Sequence, residues 1–264
     1  MMNNAELIEI SDFIYLLADA AKKITMNGFK SSLNIKKKLD SSPVTEFDIN
    51  AEKVIINLIK KKFPNHNIVV EENESTILES DYTWIIDPID GTRSYIIGRP
   101  LWGTLIGLAF KGEPLIGLVD FPALNERWLG YQSSCFFNKS IFLPKKSKLS
   151  SLSEATIAST DPDLFSDYGK QKFQDLLGYT LRNVWSGDCH NYLLLSNGGL
   201  DLVVEEGLSS YDIIPLVPVL KSQGLIITDW KGNELSLLPN KKSTFSALAS
   251  NNKDLYQAAL SILK

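Results

Sequence analysis

The sequence predicts an α/β protein of mixed helix and strand layers divided into two lobes. Three observations point there: two helical patterns near the N-terminus, a change to strand periodicity near residue 67, and a second half in which helix and strand alternate. Leu7, Ile10, Ile14, Leu17, Ala21 and Ile24 recur at helical spacing over residues 5–27, and Asn27-Gly28 supplies a stop. Residues 30–43 are polar and basic, with Lys36, Lys37 and Lys38, and read as a loop. Thr45 is placed to cap a helix from Glu46 to Phe63 that carries Asp48 in its first turn and that Pro64 closes. Ile68-Val69-Val70, Trp84-Ile85-Ile86, Leu101 to Phe110 and Pro114 to Phe121 then read as strands, with Lys111-Gly112 as a hairpin turn.

The stretch 141–154 is rich in Ser and Lys and poor in periodicity. It marks the expected boundary between an N-terminal α+β lobe, 1–145, and a C-terminal α/β lobe, 146–264. Beyond it, 188–197 reads as a helix ending at Gly198-Gly199, 200–204 and 225–228 as strands, and 243–249 and 252–263 continue the alternation. There is no internal repeat and no low-complexity tract.

Composition narrows the function. At 264 residues, 44% hydrophobic and 22% charged, the chain is long enough for a sizeable core and close to average globular usage. A net charge of −4 withholds the positive field that nonspecific nucleic-acid binding needs. No apolar run approaches the ~18 residues of a membrane helix, and MMNNAELIEISDF lacks the basic-then-apolar pattern of a secretory signal. The expectation is a cytoplasmic protein with neither nucleic-acid nor membrane partners. Cys135 and Cys189 form no CxxC pair, and His66 and His190 are the sole histidines, so sulfur and imidazole chemistry are limited.

What remains is carboxylate chemistry. Trp84-Ile85-Ile86-Asp87-Pro88-Ile89-Asp90-Gly91-Thr92 is an apolar strand running into a turn with two acids, and Val69-Val70-Glu71-Glu72 repeats the pattern. Asp-Pro and Asp-Gly are ordinary turn formers and Glu71-Glu72 alone is an ordinary solvated edge. Two such strands side by side, however, would gather hard oxygen ligands suited to Mg²⁺ or Mn²⁺. Gly91 and Thr92 add N–H groups that can approach a phosphate. Asp212 follows Ser209-Ser210-Tyr211 near the start of an apolar helix, where a first-turn acid also complements the helix dipole.

Asp87 to Thr92, with Pro43-Val44-Thr45-Glu46-Phe47-Asp48, Glu71-Glu72 and Tyr211-Asp212 followed by Ser222-Gln223-Gly224, resembles the inositol-monophosphatase-like superfamily of metal-dependent phosphatases. Pro100 to Thr104, Glu126-Arg127-Trp128, Trp185 to Cys189 and Thr228-Asp229-Trp230 look most like its histidinol-phosphate phosphatase branch. The resemblance implies a layered αβαβα sandwich. It implies Glu71, Asp87 and the Ile89 carbonyl at one metal, Asp87, Asp90 and Asp212 at a second, and Asp48 beside a third, weaker Mg²⁺. Thr92 and Glu71 would orient and deprotonate the attacking water, and Gly91 and Thr92 would hold phosphate oxygens. Glu205, seven residues before Asp212, and Asp188 would recognise the leaving group. A carboxylate there suits the ammonium of L-histidinol phosphate, whereas inositol offers only hydroxyls.

The resemblance also implies a homodimer, for which Leu101 to Phe110 and Pro114 to Phe121 are candidate contact strands and equally good internal ones. Inositol 1-phosphate, or a nucleotide or sugar bisphosphate, is the alternative substrate, and a catalytically silent ligand-binding relative is the reading from another class. Tyr211 replaces the family's usual Trp, and Pro215 and Pro218 are expected at a first turn or a kink. A phosphatase with an aspartyl nucleophile needs Asp-x-Asp, where this chain has two residues between the acids. A cysteine phosphatase needs Cys-x5-Arg, which neither cysteine begins.

Overall fold

The computed structural model describes residues 4–38, 43–237 and 244–264. Helix α1 (Asn4–Gly28) precedes a short antiparallel ladder of β1 (Ile35–Lys37) with β2 (Pro43–Thr45), so the segment read as a loop carries a strand in its middle and meets another at Pro43. Residues 39–42 lie outside the described residues. Helix α2 (Glu46–Lys62) begins at the capping box of Thr45 and Asp48.

Seven strands follow in one sheet, ordered as in the chain: β3 (Asn67–Val70), β4 (Tyr82–Asp90), β5 (Gly103–Phe110), β6 (Glu113–Phe121), β7 (Glu126–Tyr131), β8 (Ser134–Phe137) and β9 (Ser140–Ile141). The pair β3 and β4 is parallel and the others are antiparallel. Helix α3 (Thr92–Ile96) sits between β4 and β5. Residues 142–151 then cross without regular structure to the second half.

That half contains β10 (Thr156–Ser159), α4 (Asp167–Leu177), β11 (Arg182–Trp185), α5 (Cys189–Asn197), β12 (Leu202–Leu208), α6 (Ser210–Ile213), α7 (Leu216–Lys221), β13 (Ile226–Thr228), β14 (Phe245–Ser250) and α8 (Lys253–Leu263). The strands form a second sheet ordered β11-β10-β12-β14-β13.

Burial defines five layers. Helices α1 and α2 pack Ile14, Leu17, Ile55 and Ile59 on one face of the first sheet, against Trp84, Ile86, Ile106 and Leu118. The opposite face presents Ile85, Leu105 and Val119 to α5, α6 and α7, which also cover Val203, Ala247 and Ala249 of the second sheet. The far face of that sheet, with Leu202, Val204 and Leu248, is covered by α4 and α8. This is the αβαβα sandwich. Strands β5 and β6 are thereby buried over most of their length on both faces inside one chain, as internal sheet. No helix among the described residues is long and apolar enough to cross a membrane.

The apolar helix expected after Asp212 is broken. Pro215 ends α6 and caps α7, and Pro218 falls in the first turn of α7, where a missing N–H costs nothing. The break packs directly on the sheet: a Cβ built on Gly117 would stand 1.9 Å from the Pro215 carbonyl oxygen. Only glycine admits that approach. Gly117→Ala is expected to destabilise the fold by about 2 to 3 kcal/mol and to lower Mg²⁺ affinity as Asp212 is displaced. Thermal unfolding with and without Mg²⁺ measures both, and an unchanged Tm would contradict the packing argument.

Candidate active site

Parallel pairing of β3 with β4 matches Val70 to Ile86, so the chain leaves β3 into Glu71 beside Asp87. Strand β4 does not end at Ile86, as the sequence suggested. It continues through Asp87-Pro88-Ile89-Asp90 with a bulge, Asp87 opposite Leu105 and Asp90 opposite Gly103. The Thr104 hydroxyl donates to the Pro88 carbonyl at 2.8 Å and fastens the bulge. The Ile89 N–H donates to Asp87 Oδ1 at 2.9 Å.

Asp212 comes from α6 in the central helix layer, which packs against β4, and is held in a capping box in which the Ser209 N–H donates to its Oδ2 at 2.7 Å. Carboxylate oxygens of Asp87, Asp90 and Asp212 lie within 4.8 Å of one another. Thr92 donates its hydroxyl to the Ile89 carbonyl at 3.1 Å and to Asp48 at 3.4 Å. Asp48 is fully buried, and its other oxygen takes the Thr45 N–H and hydroxyl.

The leaving-group candidates come from the second half, Asp188 at the start of α5 and Glu205 on β12 of the second sheet. The Cys189 N–H, in the first turn of α5, donates to Asp90 at 2.7 Å, bringing Asp188 beside Gly91. Gly91 has φ +86, and a Cβ on it would meet the Asp188 carboxylate at 2.9 Å, so both the turn and the contact require glycine. Asp188 itself sits at φ +46, a strained backbone for a residue with a side chain. Glu205, on β12, accepts the Thr160 N–H and hydroxyl, both at 2.8 Å. One cavity is lined by Glu71, Asp90, Thr92, Asp188, Glu205 and Asp212, among others. The structure thus brings the predicted residues together, with Asp48 and Asp87 buried behind its wall.

Electrostatically the site is short of positive charge. Burial, then Glu71, pushes the Asp87 and Asp212 carboxyls well up. Burial and Asp188 push Asp90 to about 7. Burial above all drives Glu205 to about 8 against the hydrogen bonds from Thr160, and it raises Asp188 to about 6. Oxygen donors only, buried and mutually repelling, are the donor set of a small hard cation.

The family now follows from comparison. A model of the inositol monophosphatase family matches residues 6–264. The chain belongs to the inositol monophosphatase family. It is 35% identical to the bifunctional phosphatase IMPL2 of Arabidopsis thaliana, covering 100% of this chain and 77% of that one. It is 34% identical to a histidinol-phosphatase of Chlorobaculum parvum, covering 83% and 85%. A structure of an inositol monophosphatase from Zymomonas mobilis superposes with a TM-score of 0.86 at 34% identity, over 99% of both chains. Enzymes of the inositol monophosphatase family are metal-dependent phosphatases of small phosphorylated substrates, typically with Mg²⁺, and the acidic cluster fits that requirement.

Sequence reading missed three supports. Lys38 sends its ammonium to both Glu71 and Glu72, at 2.6 Å each; a lysine run in a polar loop gives no sign of which member turns inward. Glu52, fully buried, accepts the N–H groups of Glu72 and Asn73 at 2.8 Å and holds the turn that carries Glu71. Its signal was available, since Asp48 and Glu52 are acids one turn apart on the apolar side of α2. Thr160, which grips Glu205, carries no signal at all.

The raised carboxyls fix a sign. A carboxyl whose folded pKa lies above its unfolded value stabilises most at low pH, and that contribution is lost as pH rises through the folded value. Without metal, Tm is therefore expected to fall between about pH 5 and pH 8, the span that contains Asp188, Asp90 and Glu205. Mg²⁺ competes with those protons, so the Tm gain it gives should grow over the same span. Differential scanning fluorimetry across pH tests this, and a Mg²⁺ gain that shrinks toward pH 8 would refute it.

Proposed function

We propose that this chain is a Mg²⁺-dependent phosphomonoesterase that hydrolyses L-histidinol phosphate to L-histidinol and phosphate. The observation that carries the substrate is the cavity wall beyond Asp90. Asp161, Asp188, Glu205 and Glu206 line it, and the one cation lining it among the described residues, Arg93, is paired with Asp161 at 2.6 Å. Such a wall favours a cationic alcohol over a polyol. The histidinol-phosphatase of Chlorobaculum parvum supports the same direction. Inositol 1-phosphate is the second reading, favoured by the full-length similarity to the Zymomonas mobilis inositol monophosphatase.

Glu71, Asp87 and the Ile89 carbonyl would hold one ion, Asp87, Asp90 and Asp212 a second, and Asp48 would stand beside a third. Bound there, Mg²⁺ supplies a lowered water pKa and neutralises charge on attacking and leaving oxygens. The chain's own residues do the rest. Thr92, whose hydroxyl is held by the Ile89 carbonyl and Asp48, orients the attacking water. Glu71, held by Lys38, takes the water's proton. Gly91 and Thr92 turn their N–H groups toward phosphate at the open first turn of α3. Glu205 receives the substrate ammonium, and Asp188 lies across from it.

Phosphate release from histidinol phosphate and inositol 1-phosphate, measured side by side, tests the reading. Activity is expected to vanish with EDTA and return with Mg²⁺, and Asp87→Asn should cost at least about two orders of magnitude in kcat. Near-normal turnover in Asp87→Asn would sink the metal assignment, and Mg²⁺ binding without release would favour the silent relative. Glu205→Gln is expected to raise KM for histidinol phosphate about tenfold or more. Because Glu205 ionises only near pH 8, wild-type KM should fall as pH rises toward that value. The Gln variant should lose this dependence, and its persistence would place the titrating group elsewhere.

A further inference from the structure

Tyr192 lines the cavity, and its hydroxyl is a polar atom that nothing among the described residues answers. Cys189 and Tyr192 are three apart on α5, so both reach the cavity wall, beside Asp188 at the start of the helix. The Tyr192 ring packs in the central core, and only 2% of the residue is exposed. Its hydroxyl is buried and has no hydrogen-bond partner among the described residues. Burial, then the carboxylates of Glu205, Asp90 and Asp212, keeps the proton on the phenol, so it remains a neutral donor.

Such a group is costly. A buried hydroxyl without a partner gives up its hydration for nothing, and phenylalanine would fill the same space without that loss. Glu205 is also only half satisfied: its Oε1 takes two contacts from Thr160, while Oε2 has the Ser159 hydroxyl alone, at 3.4 Å. Two residues with unspent hydrogen-bonding capacity, one a donor and one an acceptor, thus line one cavity.

We propose that Tyr192 binds the alcohol half of the substrate, donating its O–H to an acceptor atom there, a hydroxyl oxygen or an unprotonated ring nitrogen, while Glu205 takes a donor of the same group. This rests on the proposed phosphatase activity for placing the alcohol half between α5 and β12. Tyr192 is then a second determinant of specificity: Glu205 selects for positive charge or a donor, and Tyr192 selects for an acceptor beside it.

Tyr192→Phe separates this role from a structural one. On whichever of histidinol phosphate and inositol 1-phosphate the wild type hydrolyses faster, the variant is expected to raise KM about three- to tenfold, the size of one neutral hydrogen bond, with kcat within twofold. Phosphoethanolamine has an ammonium but no acceptor beyond the ester, so its KM should change less than about twofold. Thermal stability should be equal or higher, because the substitution removes an unsatisfied polar atom. Unchanged KM on all substrates would overturn the proposal. So would an equal rise on all three with a lower Tm, which would make the hydroxyl structural. A wild type that prefers inositol 1-phosphate would refute the histidinol reading alone, since inositol carries acceptors and the comparison still decides the role of Tyr192.

Discussion

The structure is organised around the cost of holding several carboxylates together away from water. Asp87 and Asp90 of β4 and Asp212 of α6 converge, Glu71 leans on them, and burial raises their affinity for protons. Separated acids on a surface would relax apart. Here they cannot, because each is tied to backbone that has its own reasons to stay: Asp87 by the Ile89 N–H, Asp90 by the Cys189 N–H, Asp212 by the Ser209 N–H. Each tie is a charge-assisted bond to an N–H, which offsets part of the desolvation and leaves the rest to be relieved by protons or a divalent cation.

Packing sets the distances. Asp212 belongs to a helix pair broken at Pro215, and that break rests on Gly117 with no space for a side chain. Asp90 belongs to a bulge fastened by Thr104. The turn bearing Glu71 is fixed by Glu52, a buried acid satisfied by two backbone N–H groups and the Asn73 amide. The cluster is therefore preorganised by the apolar core on both sides of the first sheet, which is what a site needs if a cation is to bind without remodelling the chain.

Most of this was legible where chemistry and local pattern coincide. The capping residue Thr45, the parallel acid-ended strands and the Asp87 to Thr92 motif all combine a secondary-structure signal with a chemical one, and the observed α2, β3 and β4 follow them. The continuation of β4 through Pro88 was not legible, because Asp-Pro and Asp-Gly signal a turn locally and only the pairing with β5 makes a bulged strand. Lys38 and Thr160 were invisible for another reason. Their partners lie far away in sequence, and neither residue type sits in a pattern that distinguishes it from its neighbours.

The groups proposed for phosphate and those proposed for the leaving group are built on different layers, and Asp90 joins them. The former stand on β4 and the adjoining helix α3, while Glu205 and Tyr192 stand on β12 and α5. The Cys189 N–H bond to Asp90 and the contact of the Asp188 carboxylate with Gly91 are the crossing points. The strained backbone of Asp188 marks the same junction: its unfavourable φ is retained because the start of α5 must reach Asp90 while its side chain reaches the phosphate turn. Neither Glu205 nor Tyr192 belongs to the strand that carries Asp87 and Asp90, so a change at either side chain leaves the backbone ties of those two acids in place.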